Sequence, residues 1–213
     1  MKPDLVLYRF CRAVVVGFCR LFWRLSVEGL EHIPDGPFVL APVHRSNIDT
    51  PLVGAVTRRR LRYMGKDSMW KYRAPGWLFS ALGAFPIRRG SVDREAFTRC
   101  LAVIEAGEPL VMFPEGMRQS GPLVQPLWGG PAYVALRAGV PIVPVGIGGS
   151  ERAMPKGARF IRPVRVHIVI GAPLFGEARP GKRVSLSART ELTSRLRAEI
   201  QRLFDKAQIK AGA

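Results

Sequence analysis

The chain has 213 residues, of which 33 are Lys or Arg and 16 are Asp or Glu, so its formal net charge is +17. This length suits one α/β domain with a short additional segment, and the charge favours a polyanionic partner: nucleic acid, an anionic lipid surface or a phosphorylated small molecule. Cys11, Cys19 and Cys100 form no close pair and histidine is scarce, so neither a disulfide framework nor a structural zinc site is expected.

The amino-terminal segment predicts an amphipathic helix. Residues 5–25 are rich in Leu, Val, Phe and Trp, but interrupting arginines leave too short an uncharged run for a membrane-spanning helix. On a helical wheel the basic residues gather within roughly a third of the circumference. The opposite, apolar face holds Leu7, Phe10, Cys11, Val14, Phe18, Leu21 and Leu25. Such a helix lies in the interface of an anionic membrane or packs on the protein's own core. Its bulky aromatic residues favour the interface, so we assign residues 1–27 to a membrane-interface helix and residues 28–213 to an α/β domain.

The rest of the chain alternates between predicted strands and helices. Apolar runs predict strands at residues 38–41, 61–64, 83–87, 110–113, 142–145 and 164–170. Composition and spacing predict helices at about residues 47–56, 97–104, 133–137 and 185–207. The expected fold class is therefore α/β, with a mixed, largely parallel central sheet flanked by helices and a site at the loops beyond the strands.

A candidate catalytic pair lies in the run His44-Arg45-Ser46-Asn47-Ile48-Asp49, at a predicted strand-to-helix junction. Positions five apart on one helix are separated by about 140°, so the side chains of His44 and Asp49 meet only if His44 precedes the helix. The carboxylate would then orient the imidazole, which acts as a general base toward a hydroxyl group. Spacing alone does not distinguish this pair from a surface histidine beside a helix-opening aspartate.

Basic residues after two other predicted strands form a candidate phosphate site. Arg88 and Arg89 follow a short strand and precede Gly90. Guanidinium groups match phosphate oxygens in pairs, although a solvated basic turn has the same composition. Lys66 follows another strand, where it reaches the same phosphate or simply faces solvent.

The run Phe113-Pro114-Glu115-Gly116-Met117-Arg118 places a carboxylate, a glycine and an arginine in one turn after a strand. Glu115 can anchor a glycerol hydroxyl or Arg118, and Arg118 can add to the phosphate site. The alternative is a turn with a local Glu-Arg pair.

Four blocks occur in order: H-x4-D, a glycine-to-arginine run ending at Arg89, F-P-E-G-x-R, and V-P-I-V-P at residues 140–144. Together they resemble the glycerolipid acyltransferase family typified by bacterial 1-acyl-glycerol-3-phosphate acyltransferases, over about residues 30–180. The resemblance implies that His44 is the base, that Asp49 is its partner and that Arg89 binds phosphate. It further implies that acceptor binding involves Glu115, Gly116 and Arg118.

The same resemblance implies a reaction and its partners. A fatty acyl group would pass from acyl-CoA or acyl carrier protein (acyl-ACP) to a hydroxyl of 1-acyl-glycerol 3-phosphate, giving phosphatidic acid for phospholipid synthesis. No cofactor, metal or nucleic acid is expected, and the oligomeric state is left open. The alternatives are acylation of glycerol 3-phosphate or another lysophospholipid, or a non-catalytic basic module that binds membrane or nucleic acid. The expected location is the cytoplasmic face of the cell membrane, as a peripheral or monotopic protein on its anionic surface.

Overall fold

The computed structural model describes residues 3–87, 94–177 and 183–212. Along this part of the chain the strands are β1 (Ser26–Glu28), β2 (Val39–Pro42), β3 (Arg62–Lys66), β4 (Ala84–Ile87), β5 (Leu110–Val111), β6 (Ile142–Gly148) and β7 (His167–Ile170). The α-helices are α1 (Pro3–Phe22), α2 (Asp49–Val53), α3 (Arg73–Ala81), α4 (Arg94–Glu105), α5 (Gly130–Ala138), α6 (Ser150–Ala153) and α7 (Leu186–Ala211).

The described strands form one sheet in the order β1-β7-β6-β2-β5-β3-β4. Neighbouring strands are parallel except β6 and β7, which are antiparallel. The expected α/β fold with a mixed, largely parallel sheet is therefore confirmed. The central strands β2 and β6 are buried at every residue, as strands covered on both faces usually are. This burial explains why continuous apolar runs predicted them.

The strand register brings four loops to one edge of the sheet. One row of paired residues crosses β2, β5, β3 and β4, and it consists of Leu40, Val111, Tyr63 and Ala84. Because these strands are parallel, their carboxyl ends open on the same side. The loops that carry His44 and Glu115 leave the sheet there, from β2 and β5 respectively.

Helix α1 packs on the domain through a narrow stripe of side chains. Tyr8, Val16 and Cys19 are buried. The Tyr8 hydroxyl lies 3.2 Å from the Arg59 carbonyl oxygen, to which it donates. The Arg12 Nε donates to another backbone carbonyl at 2.7 Å, and burial lowers the pKa of this guanidinium. Arg12 is one of the basic residues of the helical wheel, yet it belongs to the packed stripe.

A second face of α1 is apolar and exposed. Its exposed side chains are Val6, Phe10, Val14, Phe18 and Leu21. The helix therefore combines the two alternatives, because one face packs on the core while another remains available to a partner.

Within the described residues, no helix is both long and apolar enough to cross a membrane. Strand β1 begins at Ser26, so the last two residues of the predicted segment 1–27 belong to the sheet, and the division at that point otherwise stays a prediction.

Helix α7 lies directly on strand β6 because two glycines face it. A Cβ atom built at Gly146 would overlap the backbone of Leu203, and one built at Gly148 would overlap the backbone of Ala207. Close contact of this kind lets the helix cover β6 without intervening side chains. The carboxyl-terminal helix is therefore part of the core.

We expect Gly148→Ala to lower the free energy of unfolding by about 1–3 kcal/mol, because the added methyl group forces α7 away from β6. Urea unfolding followed by far-UV circular dichroism measures the change. Gly36→Ala is the matched control, since a Cβ at Gly36 meets nothing within 4 Å. Equal stability of the two variants would contradict the direct contact.

Candidate active site

His44 and Asp49 meet at the carboxyl edge of the sheet. His44 lies two residues beyond β2, and Asp49 is the first residue of α2. The Asp49 Oδ2 lies 2.9 Å from the His44 Nδ1. Since a carboxylate oxygen only accepts, Nδ1 carries a ring proton, and in the neutral imidazole it is then Nε2 that keeps a lone pair. Asp49 is fully buried while the His44 side chain is 17% exposed. The imidazole is therefore bound to the protein through Nδ1 and still partly accessible to solvent.

The Asp49 carboxylate also organises the backbone of the loop. Its Oδ2 accepts from the backbone N–H groups of Arg45 and Ser46, both at 2.7 Å. Both donors lie in the segment just before helix α2. Asp49 therefore fixes the backbone between His44 and α2 as well as the imidazole ring.

Glu115 supports the loop between β2 and α2 from inside the protein. We call this segment, residues 43–48, the catalytic loop. The Glu115 side chain is buried and its Oε2 accepts from the His44 backbone N–H at 3.1 Å. The Oε1 accepts from the Gln125 backbone N–H at 3.0 Å. Arg45 Nη1 donates to both oxygens, at 2.9 and 2.8 Å. Glu115 was expected to anchor an acceptor hydroxyl or Arg118; its oxygens are instead occupied by Arg45 and two backbone N–H groups, one of them that of His44.

Arg45 is the counterpart of Glu115 and is fully buried. Its guanidinium also donates to the carbonyl oxygens of His44, Gly121 and Leu123 at 3.2, 3.2 and 2.9 Å. It lies 4.9 Å from the centre of the Phe204 ring. Sequence reasoning missed this residue. The signal was present as an arginine inside the first motif and a glutamate inside the third, two opposite charges at the ends of neighbouring strands.

Aromatic rings lie against the His44 imidazole and against Gly116. The Phe113 ring stacks on the His44 ring, with centroids 4.0 Å apart and planes inclined by 24°. Gly116 has φ +73°, and a Cβ there would lie 3.0 Å from the Trp128 indole. Glycine at position 116 therefore satisfies both a left-handed backbone and a close indole. This contact gives Gly116 a structural role beside any contact with the acceptor.

Ser46, although close to His44, is not placed as a nucleophile. Its side chain is buried, and its hydroxyl donates to the Met154 carbonyl oxygen at 2.7 Å. It also accepts a long hydrogen bond, 3.4 Å, from the Ile48 N–H. These contacts tie the catalytic loop to the segment after α6.

Of the four basic residues predicted to bind phosphate, the structure describes Arg118 and Lys66. Arg118 is partly exposed in the turn after β5, and the next backbone N–H, that of Gln119, donates to the His44 carbonyl at 2.9 Å. Lys66 ends β3, opposite Ile87. Arg88 and Arg89 lie outside the described residues. Their role in phosphate binding stays a prediction, as does that of Lys66. Within the described residues no cluster of three metal-ligating side chains occurs.

The sequence profile of the Acyltransferase family matches residues 24–148. The chain therefore belongs to this family, and the resemblance seen in the four motifs is confirmed. The computed fold is also similar to the crystal structure of PlsC, the 1-acyl-sn-glycerophosphate acyltransferase from Thermotoga maritima. The TM-score is 0.74 at 22% identity, and the similarity covers 95% of this chain and 83% of that one.

Two relatives illustrate the range of acceptors within the family. A chloroplastic 1-acyl-sn-glycerol-3-phosphate acyltransferase of Brassica napus is 27% identical over 162 residues, which is 73% of this chain and 46% of that protein. A lyso-ornithine lipid O-acyltransferase of Pseudomonas aeruginosa is 32% identical over 146 residues, 68% of this chain and 56% of that protein. This chain thus spans about half the length of both relatives.

We expect Glu115→Gln to destabilise the protein by about 3–5 kcal/mol, because it leaves the Arg45 charge buried without a counter-ion. Denaturant unfolding measures this loss. The exposed pair of Glu191 with Arg195 supplies the control, since Glu191→Gln should cost about 1 kcal/mol or less. If the two substitutions cost the same, Glu115 does not hold the loop.

Proposed function

We propose that the protein is a 1-acyl-glycerol-3-phosphate O-acyltransferase, which uses an acyl thioester to form phosphatidic acid. The His44–Asp49 pair carries this proposal, because Asp49 holds Nδ1 and leaves Nε2 of the neutral ring available as a base on a partly exposed side chain. A hydroxyl group is a weak nucleophile near neutral pH and needs such a base. Membership of the Acyltransferase family and the names of several relatives support the same reaction.

In the proposed mechanism the acceptor hydroxyl gives its proton to His44 Nε2 while its oxygen bonds to the thioester carbonyl carbon. Asp49 stabilises the imidazolium that results. Collapse of the tetrahedral intermediate breaks the C–S bond, and the thiol of CoA or of acyl carrier protein leaves with the proton from His44. The acyl group passes directly to the acceptor, so no residue of the chain is acylated.

The acceptor phosphate is proposed to bind Arg118, with Arg89 as the main further ligand and with Arg88 and Lys66 adding positive charge. Paired guanidinium donors suit phosphate oxygens. The lyso-ornithine relative suggests a second acceptor class, and ornithine carries no phosphate.

Arg89→Ala separates these classes, since it should chiefly raise the acceptor KM for a phosphate-bearing lipid and leave the KM for a lyso-ornithine lipid unchanged.

The domain is proposed to act at the cytoplasmic face of a membrane, held there by the exposed apolar face of α1. Phe10 and Leu21 are 66% and 84% exposed, and an exposed apolar stripe on a basic helix suits the lipid interface. Because another face of α1 packs on the domain, the helix would lie flat on the leaflet. The hydroxyl of a lysolipid would then approach His44 from the membrane surface.

Replacing His44 should abolish turnover without unfolding the protein. We expect His44→Ala to lower kcat by at least about 10²–10⁴-fold, and Asp49→Asn to lower it by a similar factor because the ring tautomer is no longer fixed. The assay follows labelled acyl transfer from acyl-CoA or acyl-ACP to 1-acyl-glycerol 3-phosphate, glycerol 3-phosphate and lyso-ornithine lipid. His32→Ala, a histidine that contacts the Ile170 carbonyl, serves as the control. A near-normal rate in His44→Ala would exclude it as the base, and no product from any acceptor would leave the basic-module alternative.

The membrane role of α1 is tested without removing the helix, because deletion would also expose the core beneath Tyr8 and Cys19. We expect Phe10→Ser/Leu21→Ser to lower vesicle affinity about tenfold or more, since each large apolar side chain contributes about 1.5–3 kcal/mol when buried. Co-sedimentation with vesicles measures binding, and unfolding curves should be unchanged. Leu186→Ser/Ile209→Ser changes two equally exposed side chains of α7 and should bind as the parent does. Unchanged binding of the α1 variant would refute this role.

A further inference from the structure

The loop between α6 and β7 presents apolar and cationic side chains to solvent together. Phe160 is 83% exposed and Ile161 is 38% exposed. The cationic side chains of the loop, all exposed, are Lys156, Arg159, Arg162 and Arg165. Among the described residues, none of these four forms an ion pair. We call residues 156–165 the basic loop.

Hydrogen bonds hold the backbone of the basic loop at its carboxyl end, although its cationic side chains are exposed. The Arg162 N–H donates to the Ala153 carbonyl at 2.8 Å. The Arg162 carbonyl accepts from the buried Trp23 indole N–H at 3.0 Å. The Val166 N–H donates back to the Trp23 carbonyl at 2.9 Å. Trp23 follows α1 directly, so the basic loop is attached to the carboxyl end of that helix.

The basic loop also lies beside the catalytic loop. Strand β6 is parallel to β2, so the segment that leaves β6 emerges at the same edge of the sheet as His44. Met154, just before the basic loop, accepts the hydrogen bond of the Ser46 hydroxyl at 2.7 Å. The loop therefore connects the end of α1 to the segment that carries the proposed base.

We propose that the basic loop is a second membrane-contact surface, which binds anionic phospholipid head groups through its cationic side chains and inserts Phe160 and Ile161 into the lipid interface. This inference rests on the proposed function at a membrane. Cationic residues near an anionic leaflet each contribute about 1 kcal/mol, and an aromatic ring among them is suited to the head-group region. With α1, the loop gives the domain two points of attachment and turns the His44 edge toward the lipid.

Charge and apolarity together favour a membrane over a nucleic acid as the partner. Single-stranded nucleic acid binds basic grooves in which successive aromatic rings stack on successive bases. The basic loop holds one aromatic ring, and Ile161 and Pro163, its other exposed apolar residues, cannot stack on bases in that way. An anionic leaflet meets both the four cations and the apolar pair.

The test compares two double variants of the full chain for binding to phosphatidylcholine vesicles with and without phosphatidylglycerol. Phe160→Ser/Arg159→Gln alters the basic loop. Phe175→Ser/Arg195→Gln is the matched control, because Phe175 is 64% exposed and its neighbour Leu174 pairs with the first residue of β6, at the opposite edge of the sheet. We expect the loop variant to lose about tenfold or more in affinity for the anionic vesicles, and the control to bind as the parent does. The loss should shrink at high salt, which screens the head-group charge.

Kinetic measurements distinguish a loss of membrane binding from a loss of catalysis. In the loop variant the apparent KM should rise for an acceptor presented in anionic vesicles, while kcat with a water-soluble short-chain acceptor stays unchanged. Equal vesicle binding by the loop variant and the parent overturns the proposal, as does loss of binding to a single-stranded oligonucleotide but not to vesicles. If the parent acylates no acceptor yet its vesicle binding still depends on Phe160, the proposed function fails and the membrane surface stands.

Discussion

The buried ion pair between Arg45 and Glu115 is the interaction on which the candidate active site depends. Two charges removed from water are costly unless hydrogen bonds satisfy them, and here both side chains are surrounded by backbone donors and acceptors. Those bonds fix the loop after β2 against the loop after β5. Because hydrogen bonds are directional, they hold the His44 backbone in one position, and Asp49 then sets the orientation of its ring.

The part of this site that depends on local spacing was accessible from the sequence. An apolar run ending shortly before His44 predicts a strand, and an aspartate five residues later can meet the histidine only if the helix begins between them. The structure has this arrangement, with α2 starting at Asp49. The strands β2 and β6 were predicted for the same reason, since full burial on both faces leaves an unbroken apolar run. The largely parallel order follows from helices between strands, although β6 and β7 are antiparallel with the short helix α6 between them.

Features that depend on distant partners were not accessible in this way. Nothing near Arg45 indicates that its counter-ion is 70 positions away, so the sequence pointed to an acceptor hydroxyl or Arg118 as the partner of Glu115 instead. Helix α3 was missed because Pro75 and Gly76 in its first turn are typical of a loop. The helical wheel of α1 separated basic from apolar positions but did not reveal the packed stripe. The stripe includes Tyr8 and Arg12, which an apolar pattern does not select. Burial on a folded surface, rather than composition, defines that stripe.

The direct contact of α7 with β6 has a consequence for the order of folding during synthesis. Strand β6 is covered by a helix that is made last among the described elements, and β1 pairs with β7 across about 140 residues. Long-range pairings of this kind form slowly and late. Helix α1, by contrast, is synthesised before every other described element. Its apolar side chains are therefore made before the domain that covers some of them, and under the proposed membrane contact a lipid surface would meet them before the domain has folded.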